Sequence, residues 1–127
     1  MPGTIVEVRY RKAGGPLSVF VEVGIGPIGA SYDLRLWNES HTKFMKLTHG
    51  SLTSKAMEPF KLPEPITDLD GLIVECIGEV GPKPTAGTRM VMKIRQDMET
   101  IGQASQAAAG GEFVFEPTID IQLRSVV

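Results

Sequence analysis

Cysteine is almost absent from this sequence. Cys76 is the only one among 127 residues, so no internal disulfide can staple the fold. Tryptophan is as scarce, with Trp37 alone, and histidine is limited to His41 and His49. An excess of one charge is missing too. The 13 Lys and Arg stand against 15 Asp and Glu, a formal net charge of -2 and a pI near 5.7. That balance argues against a basic surface built for nucleic acid. Arg9, Arg11 and Lys12 form the densest basic group, and Arg9 and Arg11 alternate with Val8 and Tyr10 as on a solvated strand face. No apolar run has the length of a membrane span. The opening Met1-Pro2-Gly3-Thr4 lacks a charged region followed by an apolar stretch, so no signal peptide is expected. These absences predict a reducing, cytoplasmic setting, with neither a membrane nor a nucleic acid as partner.

What the sequence does have is alternation. From Phe113 to Arg124, Phe113, Phe115, Ile119, Ile121 and Leu123 fall on odd positions, with mostly polar residues between them. Successive side chains of a strand point to opposite faces, so this run buries one face and solvates the other. The same period marks Thr4 to Arg11, Leu17 to Val23, Tyr32 to Trp37, Lys43 to Thr48, Leu72 to Cys76 and Met90 to Ile94. Pro117 falls inside the last strand and cannot donate to a ladder, which predicts an edge or a corner between sheets.

Two segments break the pattern. Gly50 to Asp70, with Pro59, Pro63 and Pro65, reads as a crossover between sheets carrying one helical turn in Ser51 to Glu58. Asp97 to Gly111 fits a helix capped by Asp97, with Met98, Ile101, Ala104 and Ala108 on one face. A hairpin turning at Asp97-Met98-Glu99, with a weak strand from Thr100 to Gln106, fits better, because a strand already leads into it. Seven or eight short strands without a firm helix predict one all-β domain over 1–127. Its expected form is an antiparallel two-sheet β-sandwich with Greek-key connections; a small closed barrel is the alternative.

The motifs are mostly coincidences. Gly24-Ile25-Gly26-Pro27-Ile28-Gly29 spells GxGxxG, but a strand pattern follows where a phosphate-binding helix is needed. His41 and His49, eight residues apart, would stand about 27 Å apart along an extended strand. They show no HxH or HxxxH spacing, and no metal site is expected. Cys76 shares a face with Leu72 and Val74, which predicts an inert core thiol. Glu64, Asp68 and Asp70 are too few for a calcium loop, and Asn38-Glu39-Ser40 is a formal glycosylation sequon only. No G-x-S-x-G elbow exists. Neither a catalytic residue nor a cofactor is expected.

One pattern stands out. Large apolar side chains sit on the polar faces of strands: Phe20 beside Ser18 and Glu22, Trp37 beside Asp33 and Arg35, and Ile73 and Ile77 beside Glu75 and Glu79. Were these strands in one sheet, its outer face would carry a rimmed apolar patch of Phe20, Glu22, Arg35, Trp37, Ile73 and Ile77. The expected function is therefore a non-catalytic binding module that self-associates through this face or meets another protein. The Gly50 to Asp70 crossover, through Met57 and Phe60, is the rival cover for Trp37. The alternative function is a small-molecule binder or modest enzyme with a site at a barrel mouth.

Overall fold

A computed structural model describes residues 5–24, 29–52, 59–82 and 84–127. Nine strands run in chain order: β1 (Val6–Arg11), β2 (Leu17–Gly24), β3 (Gly29–Trp37), β4 (Phe44–Leu52), β5 (Phe60–Lys61), β6 (Ile73–Gly81), β7 (Arg89–Gln96), β8 (Glu99–Ala107) and β9 (Thr118–Val126). The one helical element described is a 3-10 turn over Ile66–Leu69. The helical turn expected in Ser51 to Glu58 lies largely outside the described residues, as do Thr4, Met57 and the centre of the GxGxxG segment. That segment joins the end of β2 to the start of β3.

The strands form two packed sheets, a sandwich that does not close into a barrel. One sheet has the order β1-β9-β6-β3-β4 and the other β5-β2-β7-β8. All but two connections, the β3–β4 and β7–β8 hairpins, pass from one sheet to the other. Pairing is antiparallel except between β1 and β9, which run parallel.

Alternation gives each sheet an inner face, and the inner faces make the core. Val19, Val21, Met90, Met92 and Ile94 meet Leu34, Val74, Cys76, Ile121 and Leu123, all fully shielded from solvent. Burial pushes the Cys76 thiol up to about 12, so it is protonated at neutral pH.

The β7–β8 connection is the hairpin. Asp97 and Met98 both have positive φ, 52° and 66°, the backbone of a two-residue turn that matches the twist of the strands. Gln96 and Asp97 then tie the two sheets together. The buried Gln96 amide donates to the carbonyls of Arg11 and Gly15, and its oxygen accepts from the Arg11 amide. Asp97 accepts from the Gly15 amide and pairs with Arg11. On this flank Gly102 of β8 lies so close to Val8 of β1 that a Cβ there would sit 2.5 Å from a Val8 methyl. The flank formed by β1 and β8 is therefore sealed.

Pro117 meets one of its two expectations: it is not on an edge strand but in the connection that passes from β8 of one sheet to β9 of the other, just before β9, a central strand of its sheet. Its carbonyl accepts from the Gly78 amide, and Phe115 exchanges both backbone bonds with Val80. The ladder to β6 thus loses only the bond a proline cannot make. Phe113, expected inward, is exposed because regular pairing starts after it.

Candidate functional site

The expected patch is not one surface. Phe20 and Glu22 belong to β2 in the four-stranded sheet, whereas Arg35, Trp37, Ile73 and Ile77 belong to β3 and β6 in the five-stranded sheet. The two groups lie on separate sheets because the chain crosses over between β2 and β3. Phe20 sits opposite Lys93, and the Lys93 ammonium pairs with Glu22 at 2.8 Å. Of the two crossover residues expected to cover Trp37, Phe60 pairs with Val19 at the edge of the other sheet, and Met57 lies outside the described residues.

What covers Trp37 is the β3–β4 hairpin loop. Asn38 organises it, its side-chain oxygen accepting from the amides of Thr42 and Lys43 while its side-chain amide donates to the Thr42 hydroxyl. This tight loop puts His41 in the left-handed region, at φ 59°. The imidazole returns over the sheet and meets the Trp37 indole edge-on, with ring centres 4.4 Å apart. Phe44 packs on Trp37 at 4.7 Å, and the Arg35 guanidinium lies 4.5 Å above the Phe44 ring, a cation–π arrangement.

Beneath this cover lie two carboxyl groups. In the ladder, Glu75 of β6 stands between Arg35 of β3 and Asp120 of β9. Both acids point to the outer face, as alternation requires, yet only 6% of Glu75 and 4% of Asp120 is exposed. The Trp37 indole N–H donates to Glu75 Oε1 at 3.0 Å, and Glu75 Oε2 lies 3.6 Å from His41 Nε2. Donor atoms of His41, Glu75 and Asp120 all lie within 4.8 Å of one another. Asp120 Oδ1 is buried without a hydrogen-bond partner. Desolvation first, and the adjacent Glu75 second, raise the Asp120 carboxyl to about 7. Such an arrangement can share a proton between two acids or hold a cation.

Sequence reasoning missed these residues as a group. The one available signal was an acid between two isoleucines on a single strand face, Ile73-Glu75-Ile77, since Ile73 is itself buried on the outer side. The other acids weighed as cation ligands do not gather here. Asp70 accepts from the Ser125 amide at 2.8 Å, and Glu64 pairs with Lys61.

The same sheet ends in a free edge. Among the described residues β4 pairs only with β3, and Phe44 and Met45 are 48% and 50% exposed. No helix described is long and apolar enough to cross a membrane. No protein-family model, curated protein or solved structure matches this chain.

Proposed function

We propose that the chain is a non-catalytic binding module that self-associates through the β4 edge of its five-stranded sheet. The observation that carries this reading is the character of the four sheet edges. A strand edge presents unpaired amides and carbonyls, and soluble proteins shield such edges with charge, brevity or a covering element. Three edges here are shielded. β1 carries Glu7, Arg9 and Arg11, β5 is two residues long, and β8 is closed against β1 where Gly102 meets Val8.

Among the described residues β4 has none of these protections. It is nine residues long, with Lys46 as its one Lys, Arg, Asp or Glu. It also begins with the exposed pair Phe44-Met45. Met45 lies opposite the inward-facing Leu36, but β5 is too short to lie beneath all of β4. A second copy related by a two-fold axis suits this edge, because an antiparallel strand pair is self-complementary and two-fold dimers are the commonest soluble oligomers. Phe44 would bring Trp37 and Arg35 to the rim of the interface, where aromatic and Arg side chains are enriched.

Light scattering over a concentration series tests this. The wild type is expected to dimerise at micromolar concentration. The double variant Phe44→Glu, Met45→Lys is expected to be monomeric, and Lys12→Ala to match the wild type. A wild type that stays monomeric at high micromolar concentration would refute the reading.

A further inference from the structure

We propose that His41, Glu75 and Asp120 hold one divalent cation of the zinc class on the outer face of the five-stranded sheet. This inference is independent of self-association. The donor set is one imidazole nitrogen and two carboxylates, from the β3–β4 loop, β6 and β9. An imidazole suits a borderline first-row ion such as zinc and disfavours calcium and magnesium, which take oxygen donors. Three protein ligands would leave one position open to water or to a partner's side chain.

A second observation points to a ligand. Asp120 is 4% exposed, and its Oδ1 has no hydrogen-bond partner within the cluster. Buried carboxyl oxygens are normally satisfied, and two carboxylates brought together out of water repel unless a proton or a cation lies between them. A cation among these atoms satisfies Oδ1 and offsets the repulsion at once.

The surroundings match those of a metal ligand set. The indole N–H of Trp37 occupies Glu75 Oε1 and leaves Oε2 facing His41, as outer partners commonly orient ligating groups. The His41 side chain is 34% exposed against 8% for Glu75, so the imidazole is the gate through which an ion would enter. His41 Nε2 and Glu75 Oε2, 3.6 Å apart, are already near the edge of a zinc tetrahedron, about 3.3 Å for metal–ligand bonds near 2 Å, and all three donor atoms lie within 4.8 Å of one another.

Calorimetric titration of the chelator-treated full chain with zinc chloride tests the site, with Trp37 fluorescence as a second readout. The expected result is one zinc per chain and a fluorescence change that saturates with it. Asp120→Asn and His41→Ala are expected to weaken binding about tenfold or more, with the fold checked by circular dichroism. His49→Ala, which removes the other histidine, should bind as the wild type does. Three results would each overturn the site: no saturable binding by the wild type, undiminished binding by folded Asp120→Asn, or His49→Ala being as damaging as His41→Ala. The first would leave a proton shared by the two acids as the occupant.

Discussion

Single side chains decide how the two sheets hold together. Gln96 is 1% exposed, and its amide meets three backbone groups of the β1–β2 segment. Replacing it with leucine keeps much of the volume but leaves those groups without their partner. Each unsatisfied buried group costs about 1–3 kcal/mol, so Gln96→Leu is expected to destabilise the chain by about 2 kcal/mol or more. Urea unfolding checks this, and an unchanged midpoint would exclude the role. Gln96 could not be recognised in advance. In the sequence it is simply a polar residue ending a strand, and its partners are remote in sequence. Asp120 was hidden for a related reason: alternation assigns it correctly to the outer face, but cannot say that His41 and Trp37 cover that face.

At the scale of the element, local chemistry was far more informative. The β7–β8 hairpin was readable because Asp97-Met98-Glu99 follows a strand of regular parity, and Asp tolerates the left-handed conformation its turn position needs. Met98 is less at ease there. It holds φ 66° while 90% exposed, so it bears a backbone cost with no burial in return. Met98→Gly is expected to raise stability by about 1 kcal/mol, read as a higher thermal midpoint. Asp97→Gly should not help, since its carboxylate holds the Gly15 amide and Arg11. The β3–β4 loop was harder to anticipate. A bulge between Leu34 and Arg35 shifts the register, so Met45 and Thr48, of opposite parity, stand opposite the inward-facing Leu36 and Leu34.

For the whole molecule, period two was enough to give an all-β fold with apolar inner faces, but a closed barrel alternates in the same way and stayed open beside the two-sheet sandwich. Nor was period two enough to assign strands to sheets. Phe20 and Trp37 show the same pattern of an aromatic among polar neighbours, yet they stand on opposite sheets, since the link between β2 and β3 crosses over. The patch expected from both rings therefore becomes two smaller features. Among the described residues only the one on the five-stranded sheet adjoins an unprotected edge, and that asymmetry is the basis for proposing self-association through β4.

Hydrogen–deuterium exchange of β4 in dilute and concentrated protein tests this claim most directly. Amides of Phe44–Leu52 that point away from β3 have no strand partner among the described residues of one copy, so they should exchange quickly when dilute and slow markedly on concentration, while the β1 and β8 edges stay unchanged. Protection of β4 that does not vary with concentration, or that appears at β1 or β8 instead, would contradict it.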